Sequence, residues 1–318
     1  MHPRNIILGA ALVAASLDAS ASCGSAFCLV NTDWSAQGAW TGSGAVFDLK
    51  YEYIDLDQNR AGTGKVGVGE IPQHHDEVYT KNRNLVASLD WNLTPLWGVS
   101  VSLPYVDRQH LHIHNHQGEK EEERWDFREI GDTRVQARYI VSQSDSVEVP
   151  CQIGLTFGIK LPTGKHDIVN GDGEEAERSL QPGTGTTDAL LGAYWSTARP
   201  LTGWSYFTRM QAVVPMNSRD EYKPGAQVYA DAGARYAVSP KVAVMIQANA
   251  VWKGQDRGDN AEPEDSGQHA IFVSPGVSWN VAKDIQAYAF VQAPVYQWVR
   301  GVQLTADWSA LAGVSFRF

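Results

Sequence analysis

The sequence predicts an all-β protein: a transmembrane antiparallel up-and-down β-barrel of about twelve strands, preceded by a signal peptide. Three observations predict it. From Phe47 onward side chains alternate with a period of two, connections alternate between short and long, and the tryptophans sort into two bands.

The first residues carry the address. Met1 to Ala21 begin with Arg4, pass through the apolar run IILGAALVAASL and reach Ala19-Ser20-Ala21. A basic start, a short apolar middle and an A-x-A site make a secretory signal peptide over 1–21, cut after Ala21. The run Ile6 to Leu17 is too short to cross a bilayer. Residues 22–43 then read as a periplasmic N-terminal segment, and 44–318 as the barrel. In an oxidising periplasm Cys23 and Cys28 could close a small disulfide loop, with a redox or metal role as the alternative. Cys151 falls on a lipid-facing row.

Composition fits that address. Of 318 residues 43% are hydrophobic and 19% charged, and 36 acidic against 26 basic side chains give a net charge of −10. A phosphate-binding surface needs a basic face, so no nucleic-acid partner is expected. The mean hydropathy is −0.30. No run of about 18 apolar residues offers a membrane helix. Strands that alternate apolar and polar residues average to mild hydrophilicity, so a membrane barrel stays open.

The strands follow in order. In VFDLKYEY, Phe47, Leu49, Tyr51 and Tyr53 oppose Asp48, Lys50 and Glu52. Val135, Ala137, Tyr139 and Val141 oppose Arg134, Gln136 and Arg138; Ile153, Leu155, Phe157 and Ile159 oppose Gln152, Thr156 and Lys160. Val228, Ala230, Ala232 and Ala234 oppose Tyr229, Asp231 and Arg235. Successive side chains on a strand point to opposite faces, so each segment has one apolar and one mostly polar wall. Centres fall near Leu49, Ala87, Val101, Gln136, Leu155, Leu191, Met210, Ala232, Ile246, Val273, Ala289 and Val314. Short turns lie near Thr94, Gln143, Arg199, Pro240 and Ala282, and long charged loops near 56–78, 107–129, 162–183, 217–224 and 253–268. Short turns on one rim and long loops on the other are the asymmetry of an outer-membrane barrel.

Trp91, Trp97, Trp195, Trp204 and Trp279 fall beside the short turns, and Trp252, Trp298 and Trp308 near the long loops. Indole rings favour the headgroup zone, so two bands imply two interfaces. The chain ends in SALAGVSFRF, which resembles the β-signal of bacterial outer-membrane proteins. That resemblance implies that the terminal Phe318 closes the last strand and is read by the assembly machinery of a Gram-negative outer membrane.

The stretches GIKLPTGKHD, LQPGTGTTDALLGAYW and QAYAFVQAPVY resemble outer-membrane transporters grouped with the meta-pathway of phenol degradation. The resemblance spans most of the mature chain and implies a barrel that passes small organic molecules. In physical terms Lys160 faces the lumen, Pro162 ends ladder donation and Gly164 permits the turn. LPTGKH is not a P-loop, because Ile159 and His166 occupy the positions of the required Gly and Ser/Thr.

The expected solute path is the polar wall: Asp48, Lys50, Glu52, Asp90, Asp132, Arg134, Arg138, Lys160, Asp188, Arg209, Asp231 and Arg235. Both signs occur there, so strong ion selectivity is not expected. Phe207, Tyr229, Phe272, Tyr288, Phe290 and Tyr296 add aromatics that suit an amphipathic or aromatic solute. The competing reading is a hydrogen-bonded plug that fills the interior. No cofactor is expected, save zinc or copper at His110, His112, His114 and His116, whose spacing of two projects them from one face, with His74 and His75 on a loop of the same rim. On this alternative a plugged barrel binds or senses metal at its surface. No enzyme activity is expected: His269 with Ser274 is the nearest approach to a nucleophile and base, without a supporting signature.

Overall fold

The computed structural model describes residues 28–39, 43–71, 76–116, 119–144 and 146–318. The signal peptide, Cys23, His74 and His75 lie outside the described residues, as does the disulfide expected of Cys23 with Cys28.

The strands are β1 (Gly44–Gly62), β2 (Gly64–Lys65), β3 (Asp76–Asn92), β4 (Trp97–His116), β5 (Glu119–Ile130), β6 (Thr133–Gln143), β7 (Cys151–Leu161), β8 (Asp188–Arg199), β9 (Trp204–Pro215), β10 (Gln227–Ala237), β11 (Val242–Lys253), β12 (Gln268–Ala282) and β13 (Ile285–Arg317). They form one 13-stranded antiparallel sheet, and β13 pairs with β1 to close it. β2 is a two-residue flap on β1, and β5 and β6 are two lengths of one crossing, broken at Gly131-Asp132. β13 doubles back at Gly301, whose φ of +53° suits a residue without a Cβ. Its first arm pairs with β12 and its second with β1. The wall is thus crossed twelve times among the described residues, and every expected centre falls on a strand. Closure leaves no sheet edge in the spanning zone, which a bilayer demands of its backbone groups.

Burial is inverted relative to a water-soluble protein. Leu49, Leu155, Leu191, Met210, Ile246 and Val277 are exposed, whereas Glu52, Asn82, Gln247, Asn249 and Ser274 are 0–1% exposed. The alternation thus places apolar rows on lipid and polar rows inside. Trp91, Trp97, Trp204, Trp279 and Trp308 are exposed on the outer face. Trp252, His269 and Trp298 form an outward aromatic row near the long loops, with ring centroids 6.1 and 4.9 Å apart.

Three expectations are corrected. Cys28 to Gln37 do not lie in the periplasm: Cys28, Val30, Asn31, Trp34, Ser35, Ala36 and Gln37 are buried among inward-facing strand residues. Tyr296 faces outward at 44% exposure, because a register shift near Val295 turns the chain over. The 107–129 region is mostly not loop, for β4 and β5 continue as a paired hairpin to His116 and Glu119.

Candidate functional site

The lumen is built from the inward rows, and most of its charges are matched locally. Lys160 Nζ lies 2.6 Å from Asp132 and 3.3 Å from Asp188, all three nearly buried. Arg138 pairs with Asp90 at 3.1 Å and donates to Asn92 at 2.6 Å. Lys50 and Glu52, two apart on β1, meet at 2.9 Å. Asp48 accepts from Tyr288 Oη at 2.7 Å and Ser315 Oγ at 2.6 Å. Asp231 accepts from Asn249 Nδ2 at 2.8 Å. Arg209 donates to Gln211 at 2.7 Å. Every charged residue expected on the polar wall faces the interior, Arg134 and Arg235 included, as their cross-strand partners Lys160 and Met245 show.

Into this wall sits the chain's own N-terminal segment. Asn31 N–H donates to Gln247 Oε1 at 3.0 Å, and Gln247 Nε2 donates back to Asn31 O at 3.0 Å. One side-chain amide thus satisfies both backbone groups of a residue, as a neighbouring strand would. Cys28 N–H reaches Glu52 at 3.3 Å, and its thiol lies by Gln292 and Ser309 at 3.6 and 3.5 Å. Asp33 accepts from Ala36 N–H at 2.9 Å and opens a helical turn over 34–38. Trp34 meets Tyr288 edge to face at 4.9 Å, with Val30, Met245, Phe290 and Leu311 in the same apolar cluster. Ser35 then ties the turn to Asp90 and Gln152 at 3.1 and 2.9 Å. The sequence reading missed Gln247, Gln292, Asn249 and Ser309. Their polar row is visible in the alternation, but nothing in it says that the occupant is the chain itself.

At the long-loop rim, loop 162–187 folds inward. Asp132 holds both of its ends, accepting from Gly164 N–H at 3.1 Å and Thr184 N–H at 3.0 Å. Leu180 and Ala176 pack on Val106, Trp125 and Phe127, and Arg108 donates to Leu180 O. His110 and His112 also turn inward, 1% and 5% exposed, with His110 Nδ1 2.7 Å from Thr80 Oγ1 and His112 3.0 Å from Glu123 and 3.8 Å from Glu177. These two members of the comb therefore face the barrel mouth rather than open solvent. The side chains of His114 and His116 lie outside the described residues, and among the described ones no three His, Cys, Asp or Glu converge as a metal site. A cavity of about 390 Å³ between the loops is lined by Glu175, Glu177, Tyr222, Asp256 and Glu262, among others. Burial, with repulsion from Glu262 and Glu77, raises the Glu177 carboxyl well above the ordinary carboxylate range. His269 and Ser274 face opposite sides of β12 and form no dyad: Ser274 is fully buried and donates to Asn249, while His269 lies in the outward aromatic row.

Among solved structures, the fold is similar to an outer membrane channel from Pseudomonas putida F1, at 14% identity and a TM-score of 0.67, covering 87% of this chain and 96% of that one. The translocator domain of the autotransporter NalP from Neisseria meningitidis follows more distantly, at 9% identity, 89% and 93% coverage and a TM-score of 0.45. No curated protein matches the sequence. The first of these shares the architecture of bacterial outer-membrane barrels. Residues 89–318, which include the Lys160–Asp132 pair and the closing strand, match a family described as "Putative MetA-pathway of phenol degradation", and the chain belongs to that family.

Proposed function

We propose that the protein is a non-enzymatic outer-membrane channel for small organic solutes, narrowed by its own N-terminal segment. The observation that carries this reading is the inverted barrel: an apolar outer wall around a charged and aromatic interior in which Arg134, Gln136, Arg209, Tyr229 and Arg235 keep partial exposure. A lumen filled only for stability would leave such side chains no solvent.

The test is conductance of the refolded full chain in planar bilayers, with solute flux into proteoliposomes. Small steady conductance that rises when residues 28–38 are deleted is the expected result. A folded barrel that passes neither ions nor solutes, with or without the segment, overturns the reading.

A further inference from the structure

The lumen carries both signs of charge in equal number, but they are not evenly distributed. Lys160 sits between Asp132 and Asp188, Arg138 pairs with Asp90, and Lys50 pairs with Glu52. Arg134, Arg209 and Arg235 remain: among the described residues no carboxylate forms an ion pair with any of the three. Arg209 has only the neutral Gln211 as a hydrogen-bond acceptor, and the Nε groups of Arg209 and Arg235 are buried without a partner. Asp231 stands cross-strand from Arg209, yet its hydrogen bond is to Asn249. Asp231 is thus the acid beside Arg209, while the charged neighbour of Arg235 is a further guanidinium, Arg317.

That wall is also the accessible one. Among the described residues the hydrogen bonds of the N-terminal segment run to β1, β3, β7, β11 and β13, with none to β9 or β10. Arg134, Arg209 and Arg235 are each half-buried, so water reaches them inside the barrel. Two residues along β10 from Asp231, the half-buried Tyr229 adds an aromatic ring to that wall. Guanidinium groups keep their charge at any working pH and bind carboxylates through paired N–H donors. A half-buried arginine without an acid is costly unless a mobile anion completes it.

We propose that Arg134, Arg209 and Arg235 form an anion-binding track, and that the solutes this channel takes are small organic carboxylates, with Tyr229 as the contact for an aromatic body. The inference rests on the channel reading and deepens it. Carboxylates at the mouth, Glu175, Glu177 and Glu262, slow the approach of an anion, but in salt their reach is about 8 Å. Selectivity is set instead where low-dielectric walls focus the field.

The test is the reversal potential of the full chain in planar bilayers across a potassium chloride gradient, followed by addition of benzoate. The expected chloride-to-potassium permeability ratio is about three or more, with benzoate carrying or blocking the current. In the triple variant Arg134→Gln, Arg209→Gln, Arg235→Gln the ratio falls to about one and benzoate loses its effect, while conductance remains. Arg128→Gln, an exposed residue paired with Asp107 on the outer face, leaves both unchanged. If the triple variant does not refold, Arg209→Gln and Arg235→Gln singly must each lower the ratio. A conducting channel without anion preference, or one that prefers chloride but ignores benzoate, overturns the track and leaves the channel reading standing. A folded wild-type barrel with no conductance overturns both.

Discussion

Gln247 holds the N-terminal segment by a reciprocal pair of hydrogen bonds to the backbone of Asn31, and both groups are buried. Neutral bonds of this kind contribute roughly 1 kcal/mol each. Gln247→Ala is therefore expected to raise the population of a released segment by about one order of magnitude or more. Cys28, 8% exposed, reports on it: a water-soluble maleimide should label it slowly in the native barrel and at least several-fold faster in the variant. Equal labelling rates would mean that the apolar contacts of Val30 and Trp34 hold the segment alone. A second residue-scale device is the glycine beneath an aromatic ring. A Cβ at Gly276 would collide with the Phe290 ring, which is 2% exposed and in the cluster that seats the segment. Gly276→Ala should then cost about 1–3 kcal/mol in urea unfolding of the refolded barrel, and a cost near zero would show that the ring has room to move. Such pairs were not legible in the sequence. An inward glycine reads as a gap in the polar row until the neighbouring strand supplies the ring.

At the scale of elements, the turn after β7 and a hairpin arm carrying the histidines were legible, and the full extent of the hairpin above β4 was not. KLPTG announces its own reversal through Pro162 and Gly164, and Lys160 shows its face by alternation with Ile159 and Leu161. Above Asp107 the outer face of β4 and β5 turns to charge, with Arg128 on Asp107 and Gln109 on Asp126. Apolar alternation is written only where one face meets lipid, so the strand continues while its signal stops. Loop 162–187 hangs between these elements on Asp132, which Lys160 neutralises. Lys160→Met leaves two buried carboxylates without their cation and is expected to destabilise the loop anchor by about 3–5 kcal/mol. Limited trypsin digestion should then cut at Lys165 or Arg178 first, and an unchanged digestion pattern would count against the latch. The same loop carries a pH response. A carboxyl whose folded value is raised, as at Glu177, contributes stability that is complete below its unfolded value and lost as pH rises through the folded one. Digestion of the loop should therefore quicken on the alkaline side of the ordinary glutamate range, and Glu177→Gln should flatten that dependence.

For the whole molecule, the alternation of faces and of loop lengths was enough to foretell a closed barrel, because both are consequences of crossing a bilayer. The position of the N-terminal segment was not foretold: residues 28–38 have no period and bind through backbone groups that every sequence shares. The closing seam extends to Phe318. Ala45 N–H donates to Phe318 O at 2.7 Å and Phe318 N–H donates to Ala45 O at 2.9 Å, which joins the last position of the chain to the first strand. The pairing continues from Val46 with Arg317 to Gly62 with Val299, so one missing rung leaves a long seam intact. Deletion of Phe318 should accordingly cost a refolded barrel in detergent only about 1–3 kcal/mol. In cells the expected loss is larger, because we infer that the terminal aromatic is also read during assembly: the folded, heat-modifiable fraction in outer membranes should drop severalfold while refolding in detergent stays nearly complete. Replacement by Tyr should restore both, and Phe318→Ala should restore only the refolding, since it keeps the backbone rung and loses the ring. Equal losses in cells and in detergent would assign Phe318 to the seam alone.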